Sequence, residues 1–226
     1  MSDKLVLFVG EKNISSWSMR GFLALQEKGV PFEEREIPLR MDKDRKQRRA
    51  VSPTGKVPVL HHGARVIPDS MAIVEYLEET FPPPHYPALW PADPGQRAHA
   101  RWLAAAMHSG FMKLRESMSF NLCFLAQPPP ATPEALAEAA EVLSFWEDAL
   151  ARKTTPGAFL FGPFGAVDAM YAPVVTRFVT YAVTLDDVAS AYVETIRAMP
   201  AVQTWTRAAE AETLVIAEEE YPEAMR

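Results

Sequence analysis

Short apolar runs alternate with amphipathic stretches at the start of the chain. The run KLVLFVG (Lys4–Gly10) predicts a buried strand that ends at a glycine. In the segment SMRGFLALQEKGV (Ser18–Val30), apolar residues recur at helical spacing and a glycine follows, which predicts a helix. PFEEREI (Pro31–Ile37) predicts a second strand. A strand–helix–strand unit of this length suits a parallel pair of strands.

The next segments extend this sheet. The polar stretch Lys43–Val51 predicts a short exposed helix, and KVPVLHHGARVI (Lys56–Ile67) predicts a hairpin that turns at Gly63. Asp69–Thr80 carries apolar residues on one helical face and glutamates on the other. A sheet that begins parallel and ends in a hairpin is typical of a thioredoxin-like domain.

A proline-rich stretch, FPPPHYPALWP (Phe81–Pro91), interrupts the regular pattern and predicts a domain boundary. Beyond it the pattern is helical, and no strand is predicted after Ile67. The predicted helices cover residues 95–118, 133–153, 164–183, 190–199 and 201–212. We therefore expect an α/β thioredoxin-like domain over residues 1–81, a linker over 82–91 and an all-α helical domain over 92–226.

Composition narrows the class of protein. The formal net charge of −6 argues against a nucleic-acid-binding protein, whose surface would carry a basic face. No apolar run reaches the roughly 20 residues of a membrane helix, and the N-terminus does not resemble a signal peptide. The single cysteine, Cys123, excludes an internal disulfide and is read as a small buried residue. These features predict a cytoplasmic protein.

Two adjacent serines, Ser15 and Ser16, stand at the start of the first predicted helix. One interpretation is that a hydroxyl caps the helix. The other is that a hydroxyl and the helix end stabilise an anionic sulfur. Lowering a thiol pKa of about 8.5 by two units requires about 2.7 kcal/mol. A hydrogen bond to a charged group contributes roughly 1.5–3 kcal/mol and a helix terminus roughly 0.3–1 kcal/mol, so no full base is needed.

Val57–Pro58 stands where a predicted strand begins. Proline lacks the amide donor, so it is normally confined to edge strands or bulges. A cis bond there would leave the preceding backbone groups free to pair with an extended peptide. The pattern alone does not separate this hypothesis from a plain edge-strand proline.

Asp69–Ser70 opens the third predicted helix. The simple interpretation is an N-cap. A ligand with both a carboxylate and an ammonium group, such as the γ-glutamyl end of a peptide, would also match the serine, the helix terminus and the aspartate. The nearby stretch Arg40–Arg49 holds six basic and two acidic residues, and Lys56 leads from it into the strand. Lys56 is the better candidate for a second carboxylate, since a single side chain in the basic stretch is more simply solvated.

The motifs SSWSMR, SPTGKVPVL, PDSMAIVEYLEET and FGAVDAMYAPVVTRF together resemble the glutathione transferases, and among them the bacterial serine-type group near the zeta class. The resemblance runs over nearly the whole chain. It implies that the N-terminal domain binds glutathione as a co-substrate and that the helical domain covers it. It also implies a homodimer.

The resemblance implies specific residue roles. Ser15 would stabilise the thiolate. The other glutathione-binding residues would be Ser16, Trp17, Lys56, Val57, Pro58, Asp69 and Ser70, with a cis bond before the proline. The second substrate, a small hydrophobic electrophile, would lie against Met107, His108, Phe111, Met112 and Arg115, although ordinary packing explains each of these equally well. Metal-ligand spacing is absent among the histidines, so no metal is predicted; they are His61, His62, His85, His99 and His108.

Some positions depart from the family pattern. Trp17 occupies the place of a cysteine, so chemistry through a protein thiol is not expected there. Gly165 replaces the usual Ser or Thr cap before Asp168, which is read as structural, as is Arg20. The leading hypothesis is a glutathione transferase. The alternatives are a glutathione-dependent isomerase of the maleylacetoacetate type, a peroxidase, or a non-catalytic interaction module.

Overall fold

The computed structural model describes residues 4–39, 42–123, 128 and 130–212. In these residues the N-terminal elements are β1 (Leu5–Val9), α1 (Ser16–Lys28), β2 (Phe32–Glu36), α2 (Asp42–Val51), β3 (Val59–His62), β4 (Arg65–Pro68) and α3 (Ser70–Thr80). The helices that follow are α4 (Pro94–Ser109), α5 (Met112–Ser117), α6 (Pro133–Arg152), α7 (Ala166–Thr180), α8 (Asp187–Ala198) and α9 (Pro200–Glu210). The α/β-then-all-α architecture is confirmed; the boundaries at residues 81 and 92 stay predictions.

The four strands form one sheet in the order β2–β1–β3–β4. β1 runs parallel to β2, with Leu5 opposite Phe32, and antiparallel to β3, with Phe8 opposite Val59. β3 therefore lies inside the sheet, and the edge-strand interpretation of Val57–Pro58 is wrong. The two residues precede the first residue of β3, so the ladder does not need the amide that proline lacks.

Helix α1 lies at the centre of the molecule. It packs against β1 and α3 on the N-terminal side and against α7 and α9 from the helical part. Leu23 and Leu25 are completely buried in the core that both parts share. At its end, the buried Lys28 Nζ lies 2.6 Å from Glu78 Oε2 and donates to the Pro87 carbonyl at 2.8 Å. Helix α1 is thus held by packing from both parts of the chain.

The helix predicted over residues 95–118 is two helices, so this prediction is wrong. α4 ends at Ser109, and Phe111 takes a left-handed conformation (φ 58°) before α5 begins at Met112. A Cβ on Gly110 would lie 2.8 Å from the Ala106 carbonyl oxygen, so the tight end of α4 requires glycine. The Phe111 side chain is buried in the core, which offsets the cost of its backbone conformation.

Asp168, in the first turn of α7, holds the preceding loop together. Its carboxylate accepts the amides of Leu160 (3.2 Å) and Gly165 (2.8 Å) and the Tyr192 hydroxyl (3.0 Å). Burial raises the pKa of this completely buried carboxyl from 3.8 to about 7, against the opposing effect of these hydrogen bonds. These contacts give Asp168 a structural role.

Asp168→Asn should alter how the free energy of unfolding depends on pH. With the higher pKa, the folded state keeps a proton that the unfolded chain releases above pH 3.8. Wild-type stability therefore falls as the pH rises toward about 7, by at most about 1.4 kcal/mol per pH unit from this group. The variant lacks this titration, so its deficit relative to wild type should shrink between about pH 5 and pH 8 in urea unfolding. A deficit that grows with pH would contradict the expectation.

Candidate active site

A cleft of about 700 Å³ lies beside the N-termini of α1 and α3, and α4 contributes His108 to its wall. It brings together eight of the predicted site residues: Ser15, Trp17, Lys56, Val57, Pro58, Asp69, Ser70 and His108. These come from four separate segments of the sequence. The volume lies within the range of small-molecule binding sites.

Ser15 immediately precedes α1, yet its side chain makes no capping hydrogen bond. Its hydroxyl instead donates to Ser18 Oγ at 2.7 Å, and Ser18 Oγ also accepts the Gly10 amide at 3.0 Å. The cap interpretation is therefore wrong for this serine. Hydroxyl hydrogens rotate, so Ser18 can instead donate to Ser15 Oγ. The Ser15 O–H is then available to an anion in the cleft.

The segment before Ser15 is fastened to the C-terminal helices. The Glu212 carboxylate accepts the backbone amides of Lys12 and, at 3.1 Å, Asn13. Trp205 Nε1 donates to the Lys12 carbonyl oxygen at 3.0 Å. The position of the Ser15 hydroxyl consequently depends on residues about 200 positions away in the sequence.

Asp69 caps α3, as the simpler interpretation predicts. Its Oδ1 accepts the amides of Met71 (2.8 Å) and Ala72 (3.3 Å), and its backbone has a positive φ of 80°. The second oxygen, Oδ2, lies 3.4 Å from His108 Nε2. Burial lowers the pKa of His108 below its usual value against the opposing charge of Asp69, and the charges of Arg20 and Arg115 lower it further.

Ser70 differs from Asp69 because its side chain makes no capping hydrogen bond in the described part of the chain. The residue is completely buried and lines the cleft, but its Oγ has no hydrogen-bond partner among the described residues. A buried polar group without a partner costs about 1–3 kcal/mol. A ligand carboxylate in the cleft would supply the missing partner.

The segment that leads into β3 forms another part of the cleft wall. The Val57–Pro58 bond is cis, as the resemblance implies, and the Pro58 carbonyl accepts the Asp69 amide at 3.3 Å. Lys56 is exposed at the rim. Val57 lies outside the sheet, since β3 begins at Val59, and it lines the cleft.

Sequence reasoning missed several lining residues. Arg48 lines the cleft while its guanidinium donates to the carbonyls of Pro38 (2.7 Å) and Gly55 (3.2 Å). Arg48 belongs to the basic stretch Arg40–Arg49, whose side chains the sequence predicts to be solvated. Its position on α2 is the one sequence feature that could have indicated a place in the cleft. The other missed residues are Ile14, Leu39, Thr54 and Gly55.

Five predicted residues lie outside this cleft. Ser16 is buried at the start of α1, and Met107 and Phe111 pack in the core. Met112 is 53% exposed on the far side of the helix break. Arg115 is half-buried, with its guanidinium 5.1 Å from the ring centre of Trp17, so it reaches the cleft wall indirectly.

The described residues contain neither a metal-binding cluster nor a membrane-spanning helix. No group of three or more His, Cys, Asp or Glu is placed to hold a metal ion there. In the same part of the chain, no helix has the length and apolar character needed to cross a membrane.

Family models for the N-terminal and C-terminal domains of glutathione S-transferase match residues 14–80 and 129–208. The chain also superposes on a glutathione transferase homologue from Burkholderia gl BGR1, crystallised with bound glutathione, with a TM-score of 0.72 and 30% identity. This match covers 92% of the chain and 100% of the homologue. The chain belongs to the glutathione S-transferase family. The predicted family is thereby confirmed.

Other members of the glutathione S-transferase family are also similar. A probable maleylacetoacetate isomerase from Caenorhabditis elegans is 37% identical over 113 residues, half of each chain. A bacterial maleylpyruvate isomerase of the zeta class superposes with a TM-score of 0.69 and 25% identity, over 92% of this chain and all of the other. The matched segments span about half the length of the curated relatives.

Proposed function

We propose that this protein binds glutathione in the cleft, stabilises its sulfur as a thiolate through Ser15 and transfers it to a small electrophile. One observation carries the proposal. The Ser15 hydroxyl stands in the cleft without capping its helix, in the same cavity as the unpartnered hydroxyl of Ser70. Neither hydroxyl caps its helix.

Each part of glutathione has a matching group in the cleft. The γ-glutamyl carboxylate would accept from the Ser70 hydroxyl, and the ammonium would lie near Asp69 Oδ2. The cysteinyl backbone would pair with Val57, and the glycyl carboxylate would face the exposed Lys56. This arrangement leaves the sulfur for the N-terminal end of α1, where Ser15 lies.

The activation of the thiol follows from the hydroxyls of Ser15 and Ser18. The thiol proton passes to solvent, and the Ser15 O–H donates to the sulfur while Ser18 donates to Ser15. One charge-assisted hydrogen bond and one helix terminus together supply the roughly 2.7 kcal/mol that a two-unit fall in thiol pKa requires. The anionic sulfur then attacks the electrophile, since the thiolate is the nucleophilic form.

A glutathione-dependent isomerase is the second candidate, because similar proteins carry maleylacetoacetate and maleylpyruvate isomerase names. Activation of the sulfur would be the same in both reactions. Trp17 supplies no thiol, so neither candidate uses a protein cysteine at this position. We further propose a cytoplasmic homodimer, in line with the single cysteine and the family resemblance.

Calorimetric titration with glutathione tests the proposal against a non-catalytic module. We expect saturable binding at millimolar glutathione and turnover of at least one electrophile from a panel of aryl halides, hydroperoxides and unsaturated acids. Cysteinylglycine lacks the γ-glutamyl group, so it should bind at least about tenfold more weakly if a charge-assisted hydrogen bond is lost. Absence of glutathione binding at millimolar concentration would favour the module.

A further inference from the structure

A short segment, the serine loop (Glu11–Ile14), lies between β1 and Ser15. Lys12 and Asn13 in this loop are buried, at 9% and 7% exposure. Their amides belong to neither the sheet nor α1, so the regular hydrogen bonds of those elements do not satisfy them. Because buried amides almost always have a partner, a group from outside the loop has to provide one.

The partner is the carboxylate of Glu212, two residues beyond the end of α9. Its Oε1 accepts the Lys12 amide, and its Oε2 accepts the Asn13 amide at 3.1 Å. Successive amides that point to one anion form a small anion-binding site. The protein fills this site from its own chain, with a residue about 200 positions away.

The two amides, and not an ion pair, hold the Glu212 carboxylate in place. Burial raises its pKa, the charges of Glu36 and Glu11 raise it further, and only the two amide hydrogen bonds oppose these effects. The Lys12 ammonium bonds to Glu34 instead. Within the described residues no salt bridge joins Glu212 to a cation. The position of this carboxylate is therefore set by the serine loop.

The serine loop carries this contact to the cleft. The Glu11 carbonyl accepts the amides of Ile14 (3.3 Å) and Ser15 (2.9 Å), so the loop closes as a tight turn directly before α1. Ile14 and Ser15 both line the cleft, whereas Glu212 is not among its lining residues. A shift of the loop would therefore displace the Ser15 hydroxyl, although Glu212 itself lies outside the cleft.

We propose that Glu212 is a positioning residue, which fixes the serine loop and thereby aims the Ser15 hydroxyl at the glutathione sulfur. This inference rests on the proposed function of the cleft. Hydrogen bonds weaken steeply when their angle departs from the ideal, so a small displacement of Ser15 is enough to destabilise the thiolate. The end of the described C-terminal helices thus regulates thiolate formation from outside the cleft.

The groups proposed to bind the rest of glutathione lie on other elements. Asp69 and Ser70 stand at the start of α3, and Lys56 precedes β3. None of them is hydrogen-bonded to Glu212 within the described part of the chain. Loss of the Glu212 contact should therefore raise the pKa of the bound thiol and leave the affinity for the peptide part of glutathione unchanged.

Glu212→Gln tests this separation of effects, since glutamine keeps the shape of the side chain but replaces one acceptor oxygen with an NH2 donor. In the complex with glutathione, the thiol pKa read from thiolate absorbance should rise by at least about one unit, a tenfold loss of preference for the thiolate. Calorimetry should give an affinity for S-methylglutathione, which has no ionisable thiol, within about twofold of wild type.

Amide hydrogen exchange examines the loop contact without glutathione or turnover. The Lys12 and Asn13 amides should be protected in wild type and exchange at least about tenfold faster in Glu212→Gln, while the amides of β1 keep their protection. The variant should fold, because the loop retains other anchors. Trp205 Nε1 donates to the Lys12 carbonyl, and Asn13 Oδ1 accepts the Leu122 amide at 2.8 Å.

Glu210→Gln is the matched control. It removes the same charge from the last residue of α9, at an exposed side chain that does not line the cleft, so it should change neither the thiol pKa nor the exchange rates. A Glu212→Gln protein with faster exchange but a wild-type thiol pKa would overturn the proposal, because the contact would then be structural only. Unchanged exchange would overturn it too. A wild-type thiol that titrates near the free value of about 8.5 would instead refute the proposed function.

Discussion

Ser15→Ala is expected to lower turnover at neutral pH by about 10- to 30-fold. The lost hydrogen bond to a charged sulfur is worth roughly 1.5–3 kcal/mol, and each 1.36 kcal/mol is a factor of ten. The upper bound is set by the thiolate fraction, because about 3% of a thiol with a pKa of about 8.5 is already ionised at pH 7. The fall arises because less of the bound glutathione is thiolate. Glutathione affinity at pH 7 should fall by no more than about fivefold, which is the linked effect of losing the thiolate, since the γ-glutamyl and backbone contacts remain. Steady-state kinetics across pH measure both quantities, and activity should recover as the pH rises toward the free thiol pKa.

Ser16→Ala is the matched control for this experiment. Ser16 is the adjacent serine, but it does not line the cleft and its side chain lies buried at the start of α1. Its replacement should leave the pH profile unchanged. If Ser16→Ala shifts the profile and Ser15→Ala does not, the roles of the two serines must be exchanged.

Ser70→Ala is expected to weaken glutathione binding by about 10- to 150-fold without destabilising the protein. The hydroxyl would donate to a ligand carboxylate, which is worth roughly 1.5–3 kcal/mol. In the free protein this hydroxyl has no partner among the described residues, so its removal relieves a desolvation cost. The free energy of unfolding should therefore be unchanged or raised. Calorimetry and urea unfolding give the two values.

Ser144→Ala provides the comparison for the serine-to-alanine change. Ser144 lies on α6 and donates to the Glu141 carbonyl at 2.8 Å on the exposed surface. It should change neither affinity nor stability measurably. A Ser70→Ala protein that loses about 1 kcal/mol or more of stability and binds glutathione normally would show that the hydroxyl is structural.

Much of the N-terminal half could be predicted because local patterns decide it. The strands β1 and β2, the helix α1 between them and the hairpin at Gly63 follow from apolar periodicity and glycine positions. Asp69 is a local cap, and sequence spacing identifies it correctly. Local patterns also place Ser15 and Ser70 at two helix N-termini, and the resemblance to the glutathione transferases implies that they bind one ligand.

The features that were missed depend on tertiary contacts. The interior position of β3 is set by the crossover of β2 to the other side of β1, which no residue of β3 encodes. The break at Gly110–Phe111 interrupts an amphipathic pattern that is otherwise compatible with one helix. Arg20 and Arg115 both lie against Trp17, although one is on α1 and the other follows this break on α5. Likewise, Ser15 donates a hydrogen bond to Ser18 Oγ, and the same oxygen accepts the Gly10 amide from the loop before α1.

The pKa of the glutathione thiol in the binary complex tests the central claim most directly. It can be read from the ultraviolet absorbance of the thiolate during a pH titration of wild type and Ser15→Ala, each saturated with glutathione. We predict a pKa about two units below the free value of about 8.5 in wild type and a return toward that value in the variant. A wild-type thiol that titrates near 8.5, or equal pKa values in the two proteins, would contradict the account.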